Sequence, residues 1–334
     1  MKTMGSRQKM KWLKAWLGSL RLPVAVWLAV GCMALTAAVS AAPFEGSFDW
    51  STAEEIYPGI RHAALTFTGP RPLKVNAVEI DLTNPDFRFH TTPRDEDWGK
   101  PMPDFPSKTI RTRRQTTRKY IAQARQAPEQ GGYGIPVVLA INAAPWTPWE
   151  SPFNHRYADT MGLAVSDGVV VCETNGSFPS FIVNKDRSVD IRLVAPGDDL
   201  SDIQMAVSGF GIILEDGEVY GDDSYHPRTI FGLSGDKSKL YLMTVDGRQK
   251  GYSEGINTGE GALLMKFFGA EDAINMDGGG STTLAVYDAE TDSSKVLNHQ
   301  EGGWERPVGN NVGIYYAEEP AMTVEATVVA EETK

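Results

Sequence analysis

The chain has 334 residues, with 32 Lys+Arg against 43 Asp+Glu, a formal net charge of −11 and two Cys. Its 41% hydrophobic and 22% charged content is that of a folded globular protein, which excludes a wholly disordered chain, a coiled coil and a multi-span membrane protein. Two Cys in this length also exclude a disulfide-stapled scaffold.

Residues 1–21 hold six basic residues (Lys2, Arg7, Lys9, Lys11, Lys14 and Arg21) and no acid, and the chain is then uncharged from Leu22 to Phe44. The small residues Val39-Ser40-Ala41 close the stretch. A basic start, an apolar middle and a small-x-small close read as a signal peptide over residues 1–41, so we expect an exported protein, periplasmic or extracellular. An uncleaved signal anchor is the alternative, because about 20 apolar residues span a bilayer. Membrane contact would then be confined to this segment. Cleavage would remove those six cations and take the net charge from −11 to −17. So acidic a chain is a poor partner for nucleic acid, whose binding rests on neutralised phosphates. Cys172 would be the remaining thiol. It follows Val169-Val170-Val171 and is expected to be a small buried hydrophobe.

Residues 42–134 are expected to be strands and a basic helix packed on a main domain at 135–316. Alternation in Ala64-Leu65-Thr66-Phe67 and Val75-Asn76-Ala77-Val78-Glu79-Ile80 predicts strands, and the prolines at 93, 101, 103 and 106 predict a loop. Residues 107–127 carry seven basic residues and no acid. The stretch predicts a helix with Ser107 as N-cap and a solvated cationic face; contact with an anionic glycan or lipid surface is the sharper reading. The apolar run 136–141 predicts a buried central strand. Asp167-Gly168 and Asp216-Gly217, each between β-rich arms, predict hairpins, and 229–233 with 240–245 predicts another. Leu263, Leu264, Phe267 and Phe268 place an apolar stripe on a helix at about 257–268. The last strand is 312–316, and residues 317–334 form an acidic tail expected to be disordered. Many strands with few helices predict an α+β fold around a mixed or antiparallel sheet, in a single main domain.

Familiar catalytic templates fail. The glycine run at 278–280 has no following Lys and is not a phosphate loop; Gly279-Gly280-Ser281-Thr282-Thr283 lacks the closing Gly of a nucleophile elbow. No His-Glu-x-x-His occurs. What remains is a set of polar residues at the ends of apolar strands. Asn142 ends one run, Asp246-Gly247-Arg248 another, and Asn275 and Asp277 a third; Arg228 opens a strand and Arg306 to Asn310 precede the last one. Asn275 and Asp277 are two apart and are expected on one face. Charged side chains fixed on strand ends, beside glycines that let a ligand approach the backbone, are what a binding site requires.

Pro227-Arg228-Thr229, Asp246-Gly247-Arg248, Gly255 and above all Ala273-Ile274-Asn275-Met276-Asp277-Gly278-Gly279-Gly280-Ser281-Thr282-Thr283 resemble the phosphodiester glycosidase family in order and spacing. Arg306 to Asn310 stand where the family carries its late Arg and Asn. The resemblance covers about 135–316. One departure is Asn142-Ala143-Ala144, where the family usually has Asn-Gly-Gly. The resemblance implies hydrolysis between a sugar's anomeric carbon and a phosphodiester, on an envelope or extracellular glycan. Arg228, Arg248 and Arg306 would bind the anion with paired donors. Asp277 and Asp246 would be the catalytic carboxyl pair that glycoside cleavage usually employs, with Asp277 nearest the anomeric centre. Gly278, Gly279, Gly280 and Ser281 would offer backbone N–H groups and a hydroxyl, and Asn142, Asn275 and Asn310 would complete substrate binding. Trp146, Trp149 and Trp304 are candidates to stack on sugar faces. No cofactor is required on this reading. A divalent-metal phosphodiesterase, with Ca²⁺ or Mg²⁺ on Asp246, Asn275 and Asp277, is one alternative; a non-catalytic envelope or exopolysaccharide-binding protein is another.

Overall fold

The computed structural model describes residues 44–318, apart from 151–152 and 222–223. The signal segment at 1–41 and nearly all of the acidic tail lie outside the described residues. Strand-length apolar runs dominate the rest, and they pair into four sheets in which every pairing is antiparallel. The largest has eight strands in the order Glu54–Tyr57, Ile60–Phe67, Leu73–Asp81, Lys239–Val245, Arg228–Leu233, Asp272–Asn275, Gly211–Glu215 and Glu218–Val219. A five-stranded sheet runs Ser293–Val296, Leu284–Asp288, Leu139–Asn142, Asn311–Tyr316 and Phe87–Thr91. A second five-stranded sheet takes the 164–172 hairpin together with Ile203–Ser208, Pro179–Asn184 and Val189–Leu193, and a small three-stranded sheet joins Thr112–Arg113, Tyr157–Thr160 and Trp146–Thr147.

Period-2 alternation sorts the side chains between two cores. Phe231, Leu233, Leu240, Leu242 and Ile274 face Leu139, Ile141, Leu284, Val312 and Ile314 of the first five-stranded sheet. Their neighbours Ile230, Met243, Val245 and Ala273 face Ala262, Leu264, Met265 and Phe268 of helix α2 (Thr258–Phe268). Burial on both faces explains why Arg228–Leu233 is buried at every position. Each fully buried large aliphatic or aromatic side chain contributes roughly 1.5–3 kcal/mol. Asn257 caps α2, its side chain accepting from the Glu260 N–H while Glu260 reaches back to the Asn257 N–H; Gly269 in the left-handed region ends it. Asp167-Gly168 and Asp216-Gly217 both turn with positive φ, as their hairpins require.

The basic run departs from expectation. Helix α1 is Thr117–Arg125 with Thr116 as N-cap, not a helix opening at Ser107. Thr112–Arg113 pairs instead with Tyr157–Thr160. Nor is the cationic face wholly solvated: Arg114 is buried and donates to the carbonyls of Phe153, His155 and Pro307. Burial, and then the charge of Arg306, lowers its guanidinium to about 10.

Register places the site. Arg228 pairs with Val245 and Ile230 with Asn275, so Arg228, the Asp246 segment and the Asp277 loop leave the large sheet at one end. Asn142 pairs with Asn311 and Ile141 with Leu284, which brings Asn142, Asn310 and Thr283 to the adjacent end of the five-stranded sheet.

Candidate active site

A cleft of about 450 Å³ opens at this shared end, within the size range of small-molecule sites. Arg228, Arg248, Arg306, Asp277, the glycines 278–280, Ser281 and His226 line it, with Trp149, Phe153 and Phe210 on its rim. Residues 78 positions apart in sequence, from Arg228 to Arg306, therefore meet over one glycine loop.

Each glycine of that loop is fixed by a neighbour. A Cβ on Gly278 would stand 2.6 Å from the Pro227 carbonyl oxygen. Gly279 has φ +59, and the Arg248 guanidinium lies 3.1 Å from where its Cβ would be. A Cβ on Gly280 would stand 2.5 Å from Arg306 Cζ. Gly279 and Gly280 let two guanidiniums come close to the backbone, and Gly278 does the same for the Pro227 carbonyl. Two of the four expected N–H donors are already taken, the Gly279 N–H by the Pro227 carbonyl and the Ser281 N–H by the Gly278 carbonyl. Arg248 itself has φ +58, so the Asp246-Gly247-Arg248 segment is no ordinary Asp-Gly hairpin turn; the arginine, not the glycine, takes the left-handed conformation.

Among the described residues, Asp277 is the one carboxylate in the cleft lining. It is 7% exposed, and burial raises its carboxyl to about 6; the Ser281 hydroxyl and then the Arg306 charge hold it from rising further. Its Oδ2 has no hydrogen-bond partner among the described residues. Arg306 lies 4.7 Å over the Phe153 ring, and its buried Nε is also unpartnered. Arg228 is held by the Ile256 and Ser224 carbonyls. Arg248 is held by Glu301 at 2.9 Å and His226 Nδ1 at 3.0 Å, not by Asp246.

Asp246 lies elsewhere. Its carboxylate accepts from Asn298 Nδ2 at 3.0 Å and the His299 N–H at 3.1 Å, and it is absent from the cleft lining. Burial raises its carboxyl against those hydrogen bonds. Asn142 and Asn310 are fully buried beneath the cleft, not in it. Asn142 Nδ2 donates to the Asp277 carbonyl at 2.7 Å, while its Oδ1 accepts from the Thr229 hydroxyl and the Thr283 N–H. Asn310 bridges Thr91 and the Ala144 N–H. The departure at Ala143-Ala144 is accommodated with no positive φ at either alanine. Asn275 is the last residue of its strand and lines an adjoining pocket beside Thr258 and Tyr220, which shares Phe210, His226 and Arg228 with the Asp277 cleft. Asp246, Asn275 and Asp277 thus line no common cavity, and no cluster of three or more His, Cys, Asp or Glu suited to a metal ion occurs among the described residues. Of the tryptophans, Trp146 is buried but lines the cleft floor, where its side chain helps hold the Asp277 carboxyl down; Trp149 packs against Phe210 at the rim with ring centroids 6.2 Å apart, and Trp304 is exposed outside the cleft.

Two residues of the site carried no sequence signal of their own. His226 is a lone histidine whose role depends on a bridge to Ile256, 30 positions away. Arg114 looked like one charge in a basic run; it stacks 4.4 Å over Trp146 and ties together the carbonyls flanking Phe153 and Arg306.

Residues 137–315 match the model of the family described as phosphodiester glycosidase. Among solved structures, the chain is similar to the catalytic domain of zebrafish N-acetylglucosamine-1-phosphodiester α-N-acetylglucosaminidase auto-inhibited by its pro-peptide. The TM-score is 0.54 at 16% identity, covering 79% of this chain and 85% of that one. A hypothetical protein from Synechocystis gives a TM-score of 0.50 at 13% identity, over 79% of this chain and 63% of that one. At these identities the likeness is one of fold. No curated protein matches by sequence.

Proposed function

The chain belongs to the phosphodiester glycosidase family, and on that premise we propose that it uses the Asp277 cleft to hydrolyse a sugar-1-phosphodiester. Water adds to the anomeric carbon, the C1–O bond breaks, and its electron pair leaves on the phosphate oxygen, giving free sugar and a phosphomonoester. The observation that carries this reading is a buried carboxyl, raised to about 6, in the same cleft as three guanidiniums.

The guanidiniums have two tasks. Arg306 and Arg248 lie along the glycine loop, and planar guanidinium forks suit phosphate oxygens. They bind the diester, and they stabilise the charge that grows on the leaving phosphate. That local cationic wall is needed because a net charge of −11 repels anionic substrates at long range. Asp277 acts at the anomeric centre. It either takes a proton from the attacking water or attacks directly, and the anomer of the released sugar tells the two apart. Glycosidases usually use a second carboxyl to protonate the leaving oxygen; a phosphomonoester leaves as a stable anion and needs little such help. Asp246, outside the cleft, is assigned to positioning the 298–299 segment. Trp149 and Phe210 offer flat faces to the sugar ring.

We place the activity outside the cytoplasm on the strength of the signal-peptide pattern at 1–41. The test is a panel of UDP-sugars and methyl sugar-1-phosphodiesters incubated with the purified protein, with and without chelator. Release of free sugar that survives chelator supports the proposal. Release that requires an added divalent ion, or no release from any member, goes against it.

A further inference from the structure

A second concavity, of about 1000 Å³, runs along α1 and shares no lining residue with the cleft. One wall is α1 with Arg118, Lys119 and Arg125; the other carries Tyr287 and Trp304. Trp304 is 50% exposed, an unusual setting for so large an apolar ring. Arg125 lies 3.6 Å over the Tyr287 ring, which covers one face of that ring and holds the guanidinium in the groove. Gln300, between the walls, has a buried Nε2 with no acceptor. Two acids, Asp292 and Glu305, also line it, against three cations, so the groove is locally positive on an acidic protein. Glu305 is already paired with Arg118 at 2.8 Å, which leaves Lys119 exposed toward solvent.

These features have one chemical reading. An exposed aromatic face such as that of Trp304 takes up the apolar face of a sugar ring, amides and guanidiniums match hydroxyls and carboxylates, and a net local cation favours an acidic chain. An acyl chain would find too few apolar side chains along the groove. We propose that the α1 groove is a binding site for an anionic glycan chain, separate from the Asp277 cleft and joined to it by the 300–306 segment. That segment touches both: Trp304 lines the groove, Glu301 holds Arg248 of the cleft, and Arg306 lies on Gly280. A glycan lying in the groove would therefore be held beside the cleft, and it would bind there with or without turnover.

The experiment is calorimetric titration of the full-length protein with tetragalacturonate and with the neutral tetrasaccharide cellotetraose. Binding of tetragalacturonate at least about tenfold tighter than cellotetraose is expected, weakening as salt is raised. Trp304→Ala should weaken it at least about tenfold and Lys119→Glu at least about threefold, each with little change in thermal midpoint because both side chains are exposed. Asp277→Ala should bind as the unaltered protein does, and this separates the groove from the catalytic reading. The proposal is overturned by absence of binding, by equal binding of the neutral glycan, by unchanged affinity in both groove variants, or by loss of binding in Asp277→Ala, which would put the glycan in the cleft.

Discussion

Gly278→Ala and Gly280→Ala add the same methyl group to the same loop, yet they should fail in different ways. At Gly280 the new Cβ would lie 2.5 Å from Arg306 Cζ. Ordinary contact begins near 3.5 Å, so the guanidinium must retreat by about 1 Å. It sits at the end of a flexible side chain in a solvent-reached cleft, and it can retreat without moving backbone. The fold should barely register the change, with a midpoint within about 2 °C of the original protein. Catalysis should register it strongly, because a misplacement of about 1 Å at a reacting group costs on the order of 10²-fold. Loss of one charge-assisted contact, about 1.5–3 kcal/mol, gives the same scale. At Gly278 the new Cβ would lie 2.6 Å from the Pro227 carbonyl oxygen, which is itself the acceptor for the Gly279 N–H. Backbone cannot yield cheaply, so about 1–3 kcal/mol of stability should be lost, a fall of several degrees. Sugar release from a sugar-1-phosphodiester gives kcat/KM, and a thermal scan gives the midpoint. A Gly280→Ala protein with kcat/KM within twofold of the original would refute the role given to Arg306. One that has lost many degrees would refute the claim that the side chain, and not the loop, gives way.

Three further outcomes follow from the same geometry. Because the Asp277 carboxyl is raised from 3.8 to about 6, the folded protein binds the extra proton across that interval, and stability falls as pH rises through it. Asp277→Asn should then be inactive yet melt a few degrees higher at pH 7, and the original protein's kcat/KM should drop about tenfold per unit below pH 6; a flat profile between pH 5 and 7 contradicts the assignment. Asp246→Ala, which leaves the Asn298 amide and the His299 N–H without their acceptor, should lower the midpoint while keeping kcat/KM within about fivefold, since those partners and not the substrate hold it; a loss of 10³-fold would return Asp246 to the catalytic pair. Asn142→Ala strands the Asp277 carbonyl, the Thr229 hydroxyl and the Thr283 N–H, and should cost at least about 3 kcal/mol in a denaturant melt; a change under about 1 kcal/mol would mean the loop is held by something else.

Local rules made most of the fold legible. The Asp-Gly hairpins at 167–168 and 216–217 and the capped helix 258–268 depend on backbone preferences within a few residues, and those preferences are written in the sequence. The basic run at 107–127 misled because charge spacing carries no boundary. Thr112–Arg113 is drawn into a strand by Tyr157–Thr160, 45 positions away, which delays the helix to Thr117. Within the site, the arginines and the glycine loop could be read because the motif keeps them together. The division of labour among the polar strand ends could not. Asn142 and Asp277 both follow apolar runs, and only packing decides that the amide turns inward to grip the loop while the carboxylate faces the cleft. Asp246 is likewise consumed by Asn298, 52 residues later.

The central claim is which bond breaks. Hydrolysis in ¹⁸O-labelled water, followed by mass spectrometry of the phosphomonoester, settles it. Attack at the anomeric carbon leaves the phosphomonoester free of label and puts it on the sugar. Label in the phosphomonoester would mean attack at phosphorus, and Asp277 would not be working on a glycosidic carbon at all.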